Sequence, residues 1–165
     1  MIVLARTDSI VMNESVEDQR QEGYPSENLL VKELCCALES DKSPWGKLEI
    51  IREFSYGRGR TDVVAVDSEG DVIAFEAKLK KWTCAMHQAY RNTCFAHHSY
   101  VVLPEPTVRR AQRGLYEFAR RCIGICHIKG DTVVISLPAV RQTPIQPWLS
   151  QAASRTVRER NNHEC

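Results

Sequence analysis

The chain has 165 residues, 43% of them hydrophobic and 26% charged, enough for one globular domain with a short extra element and too few for two full domains. Its 22 Lys and Arg against 21 Asp and Glu give a formal net charge of +1, which excludes disorder over most of the chain, since that needs low hydrophobicity joined to high net charge. The longest apolar runs, such as residues 63–66, fall far short of the ~18 residues a membrane-spanning helix needs.

The opening Met1-Ile2-Val3-Leu4-Ala5-Arg6 lacks a basic leader and does not read as a secretory signal. The seven cysteines (35, 36, 84, 94, 122, 126 and 165) are odd in number and show no paired framework spacing, so the expectation is a cytoplasmic protein with reduced thiols. Residues 1–40 hold three basic and eight acidic side chains, which leaves the remainder at +6. That tilt permits a polyanionic partner without demanding one.

Residues 1–23 read as an acidic N-terminal arm with one apolar cluster at Ile10-Val11-Met12. Pro25-Ser26 then opens a helix over residues 26–40, with Ser26 as N-cap, Glu27 in the first turn, and Leu30, Leu34, Ala37 and Leu38 as the apolar stripe. A strand over 47–54 places Leu48, Ile50, Arg52 and Phe54 on one face. A loop over 55–60 follows, carrying Arg58 and Arg60 among two glycines. Residues 61–66 and 72–77 are almost unbroken Val, Ile, Ala and Phe, as expected of strands covered on both faces.

A helix is predicted over 82–96 and a strand over 99–103, stopped by Pro104 and Pro106. The helix over 107–122 has Val108, Ala111, Leu115, Phe118, Ala119 and Cys122 on one face. A hairpin of residues 123–128 and 132–137 completes the domain, taken as 24–137. Residues 138–165 form a C-terminal tail with a helix over 148–160. This order implies an α/β fold with a mixed central sheet and helices on both sides.

The chemistry concentrates between Thr61 and Lys78. Gly70 suits the left-handed position that closes a three-residue hairpin loop, Ser68-Glu69-Gly70. Val66 then faces Val72, Val64 faces Ala74, and Asp62 faces Glu76, with opposed Cβ atoms roughly 4.5–5.5 Å apart. Lys78, two residues on, projects from the same face as Glu76. Two carboxylates opposed on an apolar hairpin are costly unless neutralised, and a divalent cation with hard oxygen ligands would neutralise them. Lys78 beside that cation could hold a water or the developing charge of a reacting phosphate. A register one residue out would set Asp62 against Ala77, and the acids would then pair with Arg60 or Lys78 at exposed strand ends.

Asp62, thirteen intervening residues, then Glu76-Ala77-Lys78 within the strand IAFEAKLK resembles the signature of the PD-(D/E)XK nuclease superfamily, the restriction-endonuclease-like fold with an αβββαβ core. The resemblance covers roughly residues 26–137, including the preceding acidic helix. It implies a metal-dependent endonuclease in which Asp62, Glu76 and the Ala77 carbonyl bind Mg2+ or Mn2+ and Lys78 positions or activates the attacking water. The superfamily's helical acid would be Glu27, or Glu33 if the helix is rotated. Thr61 stands where the superfamily name has proline. The recombination-type branch also carries a glutamine and, downstream, a tyrosine on the next helix; Gln88 fits the first, but Asn92 stands four residues on.

Gln88 shares a helical face with Cys84, Arg91 and Phe95, so Gln88 and Arg91 could touch a nucleotide or order Lys78, or simply face water. Arg58 and Arg60 could clamp phosphates, or belong to a plain connection. Lys80 and Lys81 extend the positive charge. Arg109, Arg113 and Arg120 with Tyr116, and the basic tail residues Arg155, Arg158 and Arg160, read first as solvated surface. Cys122, Cys126, His127, His163 and Cys165 lack zinc spacing and read as free thiols and surface histidines, and His97-His98 as a helix-end cap.

The function expected is Mg2+-dependent hydrolysis of DNA phosphodiester bonds by Asp62, Glu76, Lys78 and Glu27, with RNA not excluded. A homodimer would let two sites act on both strands. The competing class is an inactive nuclease-fold module that binds nucleic acid or a protein.

Overall fold

Ser26 accepts the Leu29 N–H at 3.2 Å and so caps helix α1 (Glu27–Leu38), which turns Leu30, Leu34 and Leu38 inward to complete burial. The computed structural model describes residues 23–57 and 59–163, so the acidic arm lies, but for its last residue, outside the described residues. After α1 come strands β1 (Glu49–Tyr56), β2 (Gly59–Val66) and β3 (Val72–Ala77), helix α2 (Trp82–Asn92) and strand β4 (His98–Val102). Helices α3 (Glu105–Ala111) and α4 (Leu115–Arg120), strands β5 (Ile123–Lys129) and β6 (Thr132–Leu137), and helix α5 (Pro147–His163) complete the chain.

The strands form one mixed sheet in the order β1-β2-β3-β4-β5-β6. β1, β2 and β3 are an antiparallel meander, β3, β4 and β5 are parallel, and β6 returns antiparallel. Parallel neighbours need crossovers, and helical ones pack back onto the sheet. α2, α3 and α4 supply them and bury Ala85, Ala89, Val108 and Phe118 against Val101 and Ile125. On the other face α1 covers Val63, Ala65, Ile73 and Phe75. The α/β fold with a mixed sheet flanked by helices is therefore the one the sequence implies. Among the described residues no helix is long and apolar enough to cross a membrane.

Five local expectations change. The predicted loop over 55–60 is a tight hairpin in which Tyr56 pairs with Gly59, so Arg60 sits in a strand. The predicted helix over 107–122 breaks at a tighter turn, Gln112–Gly114. A Cβ on Gly114 would lie 2.5 Å from the Trp82 ring, so the missing side chain gives the indole room to pack on Phe118, 5.7 Å between ring centroids. Leu115 just beyond that break is 39% exposed rather than in the core.

α2 gives way after Asn92 to tighter turns, in which the N–H groups of Thr93, Cys94 and Phe95 meet the carbonyls three residues back, and Phe95 and Ala96 turn into the core instead of continuing the helical face. His97 and His98 consequently cap nothing. Both approach Asp71 at 3.6 Å, and His97 Nδ1 accepts the Val72 N–H.

The segment after Leu137 is stitched to this domain. Arg141 grips Asp71 through two bonds of 2.6 and 2.8 Å, which hold the Asp71 carboxyl below the usual carboxylate range. Gln142 and Gln146 donate their N–H groups to His97 and Cys94 carbonyls. α5 then buries Ala153 and Val157 against Phe54, Val64 and Phe95 on the α2 side of the sheet.

Candidate active site

The β2–β3 hairpin has the register its turn chemistry implies. Gly70 is left-handed (φ +88°), its N–H meets the Asp67 carbonyl, and Val66 pairs with Val72, Val64 with Ala74 and Val63 with Phe75. One step further, Asp62 meets the end of β3. There its carboxylate takes over from the ladder: Oδ2 accepts the Ala77 N–H at 2.9 Å. Asp62 lies close enough to Glu76 that its charge makes ionisation of Glu76 harder.

Glu76 is 1% exposed. Burial above all, and then the neighbouring Asp62, push its carboxyl up to about 8, against the opposing pull of an Asn92 hydrogen bond and Lys78. Asn92, equally buried, donates from Nδ2 to Glu76 Oε1 at 2.7 Å. Its own Oδ1 accepts from Tyr56 Oη at 2.8 Å and from Thr61 Oγ1 at 2.9 Å. Both ends of the amide are thereby partnered: the oxygen end takes the two hydroxyls, and the nitrogen end donates to the Glu76 carboxyl.

That network depends on a break in strand alternation. Ile50 packs with α1, and Arg52 donates to Asn28 on α1, yet Phe54 lies in the opposite core layer beneath α5. The residue between, Glu53, has φ +57°, a left-handed conformation that costs a non-glycine residue about 1 kcal/mol or more. On β2 the same break falls at Asp62: Thr61 faces Asn92 while Val63 faces α1. The expected shared face for Leu48, Ile50, Arg52 and Phe54 is therefore wrong beyond Arg52. The kink brings Tyr56 and Thr61 to Asn92.

Lys78 leaves the end of β3 and donates to Glu27 Oε2 at 2.8 Å. The Glu27 bond holds the ammonium above the usual lysine range. Glu27 is thus the acid of α1 that meets the site; Glu33 accepts instead from Tyr24 Oη at 2.7 Å. A groove of about 940 Å³ opens beside this pair, lined by Glu27, Lys78, Lys80, Lys81, Gln88 and Arg91 among others. Gln88 Oε1 is buried there without a protein partner. Arg60 does not line the groove and turns to Glu53 at 3.7 Å, and Arg58 lies outside the described residues.

No protein family and no curated protein matches the chain by sequence. Among solved structures, a protein of unknown function from Silicibacter pomeroyi is similar with a TM-score of 0.59 and 12% identity, over 82% of this chain and 85% of that one. A repair endonuclease from Pyrococcus abyssi aligns with a TM-score of 0.39 and 21% identity, over 56% of this chain and 45% of that one. The first likeness is one of fold alone, so the chemistry of the site rests on its own atoms.

Asn92, Tyr56 and the kink at Glu53 are the parts that sequence reasoning missed. Tyr56 reaches Asn92 from β1. The described cysteines are free thiols, and among the described residues no three His, Cys, Asp or Glu side chains gather to hold a metal by themselves.

Proposed function

We propose that this chain is a cytoplasmic, Mg2+- or Mn2+-dependent nuclease of the PD-(D/E)XK type that hydrolyses DNA phosphodiester bonds. The observation that supports this reading best is the convergence of two carboxylates, Asp62 and Glu76, from adjacent strands beside Lys78, which itself lines a cationic groove. The residues suit a hard cation. One oxygen of each acid is engaged by Ala77 N–H or by Asn92, which leaves the other oxygens for a shared ion, and Mg2+ is commonly held by one or two carboxylates with water completing its shell. A buried acid that resists ionisation, beside a second acid, is the electrostatic setting that a divalent ion relieves. Asp62, Glu76 and the Ala77 carbonyl would hold the ion, and it would supply Lewis-acid stabilisation of charge on the phosphate.

The protein's own groups do the rest. Lys78 stays an ammonium because Glu27 favours its charged form, so it acts by holding and orienting the attacking water and the phosphate rather than by accepting a proton. Glu27 fixes the Lys78 side chain at the groove mouth. Asn92 keeps one Glu76 oxygen occupied and so aims the other. Gln88 and Arg91 stand along the groove where the DNA backbone would pass.

Incubation of supercoiled and branched DNA with Mn2+ tests this directly. The wild type should nick or cut at least one substrate, and Lys78→Ala should be roughly 100-fold slower, the scale of losing one charge-stabilising donor. If the wild type and Lys78→Ala both leave every substrate intact, the fold serves as a binding module and the enzyme reading falls.

A further inference from the structure

We propose that the groove along α2 binds single-stranded DNA, with Tyr90 as the platform on which an unpaired base stacks; this deepens, and rests on, the nuclease reading of the acid pair next to Lys78. Three observations carry it. The groove carries Lys78, Lys80, Lys81 and Arg91, with Glu27 as the one carboxylate in its lining. Glu27 is already bonded to Lys78, whereas Lys80, Lys81 and Arg91 enter no ion pair among the described residues. That leaves a run of unbalanced positive charge continuing beyond Lys78, the arrangement that tracks a phosphate backbone.

Tyr90, on the same wall, is 52% exposed. Its ring does not hang free. Arg121, next after α4, lays its guanidinium 5.9 Å from the ring centroid, and Glu117 holds that guanidinium in turn. One face of the ring is therefore backed by a fixed cation, and half of the side chain remains open to a ligand.

An aromatic face beside a cationic track selects for unstacked bases. A single strand presents base faces along its length, while a duplex keeps them stacked on each other and shows them only at its ends. Lys78 joins the two parts, since it lines the groove and interacts with both Asp62 and Glu76. A strand with its phosphates along Lys80 and Lys81 and a base on Tyr90 would thus pass the acid pair.

Fluorescence anisotropy of the full chain tests this, with labelled oligodeoxythymidine and a blunt duplex of equal length, in EDTA so that nothing is cut. The single strand should bind about tenfold more tightly, and Tyr90→Ala should weaken it roughly tenfold while Tyr90→Phe retains it. Replacing Lys80 and Lys81 together by glutamine should flatten the salt dependence of single-strand binding by about 1.4 in the logarithmic slope. An unchanged melting temperature for Tyr90→Ala shows that folding is not the cause. Equal or tighter duplex binding, or undiminished binding by Tyr90→Ala, overturns the proposal. Cleavage with Mn2+ is read separately. A strand that is held through Tyr90 and never cut supports this surface and sinks the nuclease reading, whereas a duplex cut without any part for Tyr90 sinks this surface alone.

Discussion

Metal-free protein should lose stability as the pH rises from about 5 to about 9, and Glu76 should account for most of the loss. Its carboxyl is pushed up to about 8 in the fold from 4.5, because burial and Asp62 oppose its charge. A group whose folded value is raised contributes its full stabilisation below the unfolded value, and that contribution fades as the pH climbs through the folded one. The window here runs from 4.5 to about 8. The difference between its two ends is on the order of 4 kcal/mol, a large share of the stability of a domain this size.

Glu76→Gln mimics the protonated acid and keeps the oxygen that Asn92 holds. Urea denaturation in EDTA should therefore show the variant matching the wild type near pH 5 and exceeding it near pH 9. Mn2+ should restore the wild type at high pH and leave Glu76→Gln unmoved, since the ion replaces the proton. Parallel stability curves for the two proteins across this range would show that the buried acid is not the titrating group.

Asn92→Leu should be the most damaging single change on α2. It removes a fully buried amide and leaves Tyr56 Oη, Thr61 Oγ1 and Glu76 Oε1 facing an apolar side chain. Each orphaned buried polar group costs about 1–3 kcal/mol, so a total near 4 kcal/mol is expected. Asn92→Asp separates the two sides of the hub. It still accepts from both hydroxyls but turns a second carboxylate towards Glu76, so its deficit should be modest near pH 5 and grow as the pH rises. Thermal unfolding of the three proteins at two pH values reads this out. A loss under about 1 kcal/mol for Asn92→Leu would mean that the network contributes little.

The sheet was legible in the sequence where local signals agree. Gly70 and the Val-rich arms specify one hairpin register, and that register alone places Asp62 beside Glu76, because the side-chain period of two leaves no intermediate choice. Ser26 likewise marks the start of α1. The expectations that failed were decided by contacts distant in sequence. The helix broken at Gly114 yields to the indole of Trp82, and the early end of α2 goes with the burial of Phe95 beneath α5. The alternation of β1 gives no sign of the left-handed Glu53, since glutamate is an unusual residue for that conformation. For the same reason the hub was invisible: Tyr56, Thr61 and Asn92 come from three elements, and a face that reads as continuous on paper is reset by that kink. Conversely, Arg60 looked useful because it stands near Asp62 in sequence, yet its strand carries it to Glu53.

Calorimetric titration of the full chain with Mn2+ near pH 8 addresses the shared-ion geometry most directly. Saturable binding should appear in the wild type, vanish in both Asp62→Ala and Glu76→Ala, and persist in Tyr90→Ala. An absence of heat in the wild type, or binding that survives the loss of either acid, would contradict the account.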